Sequence, residues 1–123
     1  MRDFHELKVW RKAHPLVLAI YKVSAGFPQR EVYALTSQLR RAAISMASNI
    51  AEGCGRNSQG EFAHFLQMAM GSASEVQYHL LLAHDLSFLS DSQFQQLDND
   101  VIEVKRMLAA LIQKLRTESS ADR

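Results

Sequence analysis

Between residues 35 and 53 the chain carries an apolar stripe at helical spacing, with a polar band beside it. The stripe comprises Leu35, Leu39, Ala42, Met46, Ile50 and Gly53. The band comprises Gln38, Arg41, Ser45, Asn49 and Glu52. Steps of three or four residues place each set on one face of an α-helix. The band consists mostly of short side chains, so a second helix can approach it closely, and its charged members would then need partners in place of water. The pattern predicts a helix that packs on more than one side.

Apolar periodicity and helix-end signals divide the chain into four predicted helices. They span about residues 6–25, 31–52, 58–88 and 92–117. Glycine or proline follows the first two helices, as is typical of helix C-termini. Capping boxes are predicted to begin the last two, with Ser58 and Glu61 in one and Ser90 and Gln93 in the other. The predicted core stripe of the third helix is Phe62, Leu66, Ala69, Ala73, Val76, Leu80 and Ala83.

The short connections predict an all-α, antiparallel up-down-up-down four-helix bundle. No segment alternates with the period of two residues that indicates a β-strand. Pro15 lies inside the first predicted helix, where the loss of a backbone hydrogen bond should kink the axis. We expect residues 1–118 to form one domain and residues 119–123 to be a frayed tail.

Three of the helices carry more apolar or uncharged surface than a single bundle buries. In helix 1 a stripe of Leu7, Trp10, His14, Val17 and Tyr21 lies beside a stripe of Val9, Ala13, Leu16, Ile20 and Val23. Together they cover well over half of the helix, whereas one core face needs only about 100° of arc. Between Phe62 and His84 in helix 3 the only formal charge is Glu75. We therefore expect a closed homo-oligomer, although these patterns indicate only more than one subunit.

Composition is that of a globular protein without a membrane-spanning segment. The 123 residues are 47% hydrophobic and 22% charged, enough chain for one core. No apolar run approaches the roughly 20 residues that span a bilayer, and the first residues lack a secretory signal. The single cysteine, Cys54, cannot form an intramolecular disulfide. These features predict a cytoplasmic protein.

The net charge of +1 conceals an uneven distribution of charge. Residues 1–56 carry a net +5, residues 57–104 contain no Lys or Arg and carry −7, and residues 105–123 carry +3. In the predicted topology one pole of the bundle collects cations, of which the candidate nucleic-acid contacts are Lys8, Arg11, Lys12, Arg56, Lys114 and Arg116. The opposite pole receives Asp85, Asp91, Asp98 and Asp100. Lys22, Arg30 and Glu31 also fall there, so the prediction is a bias of charge rather than a clean separation. A basic rim of this kind suits phosphate backbones, while the alternative is that these cations only keep the surface hydrated.

The polar band predicts a network between helices or between subunits. Its candidate members are Gln38, Arg41, Ser45, Asn49, Glu52 and Glu75. The adjacent Arg40 and Arg41 have two interpretations. An ion pair with Glu52 or Glu75 of a neighbouring helix is favoured over a phosphate contact.

The sequence contains no constellation that predicts catalysis, a cofactor or a metal. Glu61-x-x-His64 is half of a di-iron motif, but the second half and two further carboxylates are missing, and Glu61 is explained by helix capping. His79 and His84 diverge around the helix and suit a metal poorly. Cys54 lies at a helix C-terminus, which disfavours a thiolate. We therefore expect a protein that is not an enzyme.

Three ordered motifs carry a family resemblance over roughly residues 4–115. They are Phe4-x-x-Leu7-x-Val9-Trp10-x-x-Ala13, the run from Gln38 to Gly53, and Phe65-Leu66-x-x-Ala69-x-Gly71-Ser72. With them the chain resembles the bacterial four-helix-bundle proteins named after intervening sequences of ribosomal RNA genes. That family is similar to the accessory variability determinant of diversity-generating retroelements, a basic pentameric bundle that partners a reverse transcriptase and RNA.

The resemblance implies a pentamer and a partner that contains RNA. Together with the cation distribution, it favours a non-enzymatic scaffold that binds RNA or a ribonucleoprotein. Trp10 and Tyr21 would be able to stack on bases, but their spacing favours the core. The alternative function is a protein–protein interaction module with no nucleic-acid role.

Overall fold

A computed structural model describes residues 2–121 and shows four α-helices. They are α1 (Lys8–Ser24), α2 (Leu35–Cys54), α3 (Gln59–Asp85) and α4 (Asp91–Ala121). Single 3-10 turns at Phe4–Glu6 and Gln29–Glu31 precede α1 and α2. No strand occurs in residues 2–121, and within that range no helix is both long and apolar enough to cross a bilayer.

The helices form an antiparallel four-helix bundle in chain order around one core. Each helix packs against the next, and α4 closes the bundle against α1, while the backbones of diagonally opposite helices do not approach closely within the described residues. The connections are too short for any arrangement of sequential neighbours other than antiparallel. The all-α, up-down-up-down prediction is therefore confirmed for the single chain.

The predicted core stripes of α2 and α3 are confirmed residue by residue. Every member of both stripes is buried. The apolar members lie in one cluster, to which α4 contributes Leu97, Val101, Val104, Leu108, Ile112 and Leu115. In α1 four members of one stripe, Val9, Ala13, Leu16 and Ile20, are buried and Val23 is half-buried, whereas Val17 is the buried member of the other stripe. In the other stripe His14 and Tyr21 are exposed in the single chain, because the bundle covers only one side of this helix.

Local chemistry at the helix ends agrees with the predicted caps. The Ser58 hydroxyl accepts a hydrogen bond from the Glu61 backbone N–H at 3.1 Å. At the start of α4 the box is reciprocal: Gln93 N–H donates to Ser90 Oγ at 3.1 Å, and Ser90 N–H donates to Gln93 Oε1 at 3.0 Å. At Ser58 the described hydrogen bonds include only one half of the predicted box, whereas the box at Ser90 is complete, and each helix begins at the residue after its capping serine.

The helix bounds differ from the predictions at four places, one of which is the end of α3 at Asp85 rather than near residue 88. The helical part of α1 begins at Lys8 because Phe4–Glu6 forms a separate 3-10 turn, and α2 begins at Leu35 rather than near residue 31. At its other end, α4 continues through Ala121, so it includes the first three residues of the predicted tail, and residues 122–123 lie outside the described range. Helix α1 is continuous through Pro15, which lies on its exposed side.

Candidate nucleic-acid interface

One end of the bundle brings together the N-terminal segment, the α2–α3 turn and the C-terminal part of α4. The Arg2 backbone N–H donates to the Cys54 carbonyl at 2.7 Å, and Gln59 Nε2 donates to Glu118 Oε2 at 3.3 Å. We call this end, with the six candidate cations on or near it, the basic end.

Lys8 and Lys114 border a shared, mostly apolar groove between α1 and α4. The groove also includes Leu7, Met107 and Leu111. Both lysines are exposed, and within the described residues neither has a carboxylate at ion-pair distance. Glu6 also borders this groove, and Lys8 borders a second groove that contains Asp100 and Glu103. The two lysines are thus exposed cations without an ion pair among the described residues, with carboxylates nearby.

Arg11 and Lys12 lie farther along α1, in a second groove that also has an acidic wall. Its α4 side presents Asp100 and Glu103. Lys12 Nζ lies 3.1 Å from Asp100 Oδ1, so part of its charge is neutralised. Lys12 and Asp100, predicted at opposite poles, thus lie in contact, and the predicted bias of charge is weakened at this point. The antiparallel register places Lys8 beside Met107 and Lys114, and Lys12 beside Asp100 in the first half of α4.

The two remaining candidate cations, Arg56 and Arg116, differ in their contacts with the rest of the protein. Arg56 Nη2 lies 3.0 Å from Glu52 Oε1, and its guanidinium stacks 4.5 Å above the Phe65 ring. Arg116 borders a groove of about 340 Å³ between α3 and α4, together with His64. Arg116 thus faces an accessible groove, whereas Arg56 is already engaged with its neighbours.

The predicted polar band is connected at its centre and open at its ends. Ser45 Oγ and Ser72 Oγ are 2.9 Å apart across α2 and α3, and Asn49 Nδ2 donates to Ser45 Oγ at 3.1 Å. The other members, Gln38, Arg41, Glu52 and Glu75, are exposed in the single chain. Within one chain the network therefore links two helices through short side chains. Of its charged members, Arg41 and Glu75 are exposed, and Glu52 pairs with Arg56 on the surface.

Arg40 has a structural role within the bundle. Its Nε donates to Ser24 Oγ at 2.8 Å, its Nη2 donates to the Tyr21 carbonyl at 3.1 Å, and its guanidinium lies 4.6 Å above the Tyr21 ring. These contacts satisfy the C-terminal end of α1. Arg40 therefore forms neither the ion pair with Glu52 or Glu75 that the sequence favoured nor an exposed site for phosphate.

The other candidate groups do not come together. Glu61 and His64 are exposed, and His84 bonds Asp91 through Nε2 at 2.7 Å. No cluster of three or more His, Cys, Asp or Glu side chains with metal-binding geometry occurs within residues 2–121. Cys54 is only 1% exposed, and burial raises the pKa of its thiol. This keeps the thiol in its unreactive protonated form.

Exposed apolar side chains mark the outer faces of α2 and α3. Ile44 on α2 and Met68, Tyr78 and Leu81 on α3 are all exposed, with Tyr78 at 58%. Uncharged residues, including Gly71 and Ser74, are exposed among them on α3. Tyr78 and Leu81 border a groove shared with Phe94 and Asp98 of α4, so this part of the exposed apolar surface faces α4 rather than α2.

Sequence reasoning missed a stack of aromatic rings at the basic end. It consists of Phe4, His5, Trp10 and His14. The signal was available for one pair, because Trp10 and His14 are four residues apart on α1. The two other rings come from the 3-10 turn, whose path only the folded chain shows.

These observations define the class of protein: a small four-helix bundle with exposed cations at one end. The sequence matches the 23S rRNA-intervening sequence protein family over residues 5–110, and the chain belongs to that family. A crystal structure from Bacteroides thetaiotaomicron, described as a protein with unknown function from the S23 ribosomal protein family, has the same fold with a TM-score of 0.79. The two share 23% identity over 85% of this chain and 97% of the other. No curated protein matches the chain. The family resemblance read from the motifs is thereby confirmed.

Proposed function

We propose that the protein is a non-enzymatic, cytoplasmic scaffold that binds RNA, alone or in a ribonucleoprotein, through the basic end. The observation that carries the proposal is the pair of exposed lysines, Lys8 and Lys114, on one groove. Arg11 and Arg116 extend the cationic surface to either side. The family's link to ribosomal RNA intervening sequences supports RNA over other polyanions.

The chemistry of such a surface is contact with phosphates rather than reading of bases. Lysine and arginine neutralise backbone phosphates and release counterions, so affinity falls as salt rises. With Lys12 and Arg56 already paired, four cations per chain remain for phosphate. For single-stranded RNA they predict a slope of log K against log salt of about −3 per chain. Binding of this kind has little sequence preference.

Assembly would multiply this surface. We propose a closed homo-oligomer, a pentamer by the family resemblance, in which the outer faces of α2 and α3 meet neighbouring subunits. The exposed apolar residues support this, since patches of this kind on a soluble protein mark interaction sites. Cyclic symmetry would repeat the basic end around one rim. Arg41 and Glu75, exposed in the single chain, would then face partners on other subunits.

The proposal is tested by reversing two charges at the basic end. In Lys8→Glu/Lys114→Glu, RNA affinity at low salt should fall at least tenfold, because two attractive contacts become repulsive. The matched control is Lys22→Glu/Arg30→Glu, which reverses two exposed cations nearer the opposite end. Fluorescence anisotropy with labelled RNA measures binding, and light scattering checks that assembly is unchanged.

Two results would reject the RNA-binding proposal. One is no RNA binding by the natural protein at low salt, and the other is equal loss of affinity in the test and control variants. The exposed Ile44, Met68 and Tyr78 then favour the second candidate, a module for binding another protein. Purification of one defined partner free of nucleic acid would support that alternative.

A further inference from the structure

The aromatic stack at the basic end is built from two elements. Phe4 and His5, in the 3-10 turn, lie ring on ring with centroids 4.2 Å apart. Both meet Trp10 at steep angles, at 4.8 and 5.3 Å, and Trp10 lies nearly parallel to His14, with 6° between the planes and 5.0 Å between the centroids. Asp3 Oδ1 holds the His5 ring at 2.7 Å. This contact keeps the pKa of Asp3 below its ordinary value.

Exposure separates this stack from the core. Phe4 and Trp10 are half-buried and pack against the core cluster. His5 and His14 are exposed, so they add little to core burial and extend the stack outward into solvent. Ring surface that projects from the fold in this way is available to another flat ring.

Cations lie beside these rings. Arg11 is exposed and precedes His14 by three residues, so the two side chains are neighbours on the surface of α1. Arg11 also borders the groove that contains Lys8. Arg11 therefore connects the aromatic stack to the phosphate-binding surface proposed above.

A cationic surface combined with exposed aromatic rings is the combination that binds single-stranded nucleic acid. In a duplex the base faces are already stacked on one another, and an A-form helix offers its backbone and 2′-hydroxyls instead. Phosphate contacts alone do not distinguish the two forms, so the ring surface decides which form is favoured.

We infer that the aromatic stack is a platform for unpaired bases, with His14 as its outer ring, so that the RNA at the basic end is single-stranded. The inference rests on the proposed function and specifies its ligand. Phosphates contact Arg11 and Lys8, while a base stacks on the exposed face of His14.

The test compares an oligouridylate with a blunt RNA duplex of equal length at low salt. His14→Ala should weaken oligouridylate binding roughly tenfold, the range of one lost base stack, and leave duplex binding unchanged. His14→Phe keeps a ring face without the imidazole and should retain the affinity. Tyr33→Ala, which removes the most exposed large hydrophobic side chain of the described chain at 94% exposure, is the matched control and should have no effect.

Trp10 supplies a second measurement, because it is the only tryptophan in the chain. Its emission should fall when oligouridylate binds and change less with the duplex. Circular dichroism of His14→Ala checks that the fold is intact, which is expected because the side chain is exposed and Ala favours helix.

The inference is overturned if His14→Ala weakens both RNAs equally, weakens neither, or is not rescued by phenylalanine. In each of these cases the proposal that the lysines bind RNA is retained, provided that Lys8→Glu/Lys114→Glu weakens RNA binding as expected. If the natural protein binds neither RNA, the proposed function fails with it. The two failures are thus distinguishable.

Discussion

Gly53 determines how closely α2 and α3 approach at the basic end. A Cβ atom at this position would lie 2.9 Å from Phe65 Cβ and 3.0 Å from Phe62 Cδ1. Phe65 Cβ is attached to the backbone, so it cannot move aside without shifting α3. Farther along the same seam Ser45 and Ser72 are in direct contact. The seam therefore depends on small side chains rather than on large interlocking ones.

Two glycine-to-alanine substitutions separate this packing effect from helix propensity. Gly53→Ala should lower the free energy of unfolding by about 1–3 kcal/mol, the usual cost of overpacking. At Gly71, also within α3, an added Cβ meets nothing within 4 Å, so Gly71→Ala should raise it by about 0.5–1 kcal/mol. Urea denaturation at an unchanged m-value measures both. Opposite signs are expected, and equal signs would contradict this account of the seam.

At the scale of elements, the corner between α3 and α4 relies on a serine in a left-handed conformation. Ser87 has φ of 67°. Its N–H donates to the His84 carbonyl at 2.9 Å, and the Phe88 N–H donates to the Ala83 carbonyl at 2.8 Å. These two hydrogen bonds form a Schellman motif, which ends α3 just before the reciprocal cap of α4 begins.

Ser87→Gly should therefore stabilise the protein by about 1 kcal/mol, because glycine adopts this conformation without the Cβ clash. The same substitution at Ser74, which is exposed in the middle of α3, should destabilise it by about 0.5 kcal/mol. Thermal unfolding of the pair provides the measurement. A loss of stability in Ser87→Gly would contradict this account, because it would show that the serine hydroxyl stabilises the corner by more than the left-handed backbone of serine costs.

The sequence predicted best those features that depend on residues close together in the chain. The α3 stripe and both caps depend on residues within a few positions of one another, and they appear in the structure as predicted. The start of α2 was misplaced because the segment after Pro28 first forms a 3-10 turn. Propensity alone does not distinguish that turn from the first turn of an α-helix.

The candidate site was less predictable because it depends on how the helices are offset. The pairing of Lys12 with Asp100 joins residues 88 positions apart, and it depends on the register in which α1 and α4 pack. The ring contacts of Phe4 and His5 likewise depend on the path of the N-terminal turn. Such contacts are tertiary, so periodicity along one helix does not report them.

At the scale of the whole molecule, the cation-free surface of α3 and the polar band of α2 belong to the proposed assembly. Light scattering at micromolar concentration should give a mass several times the 13.9 kDa of one chain. Arg41→Ala should lower that mass or the melting temperature, because losing one partner of a buried charge pair costs about 3–5 kcal/mol. Arg106→Ala, at an exposed arginine of α4 near Glu103, is the control. A mass near that of one chain would reject the assembly.

The four helices of the bundle do not pack against one another equally extensively. Helices α2 and α3 share the largest contact, and α1 meets both of its neighbours through smaller ones. Local opening in proteins involves the least-packed elements first, so α1 and the segment before it should detach while the other helices remain paired. The N-terminal segment bonds the backbone of Cys54, so this motion would uncover that thiol. Its rate of alkylation in native buffer would then measure how often the first helix leaves the bundle, and a rate equal to that of global unfolding would exclude the motion.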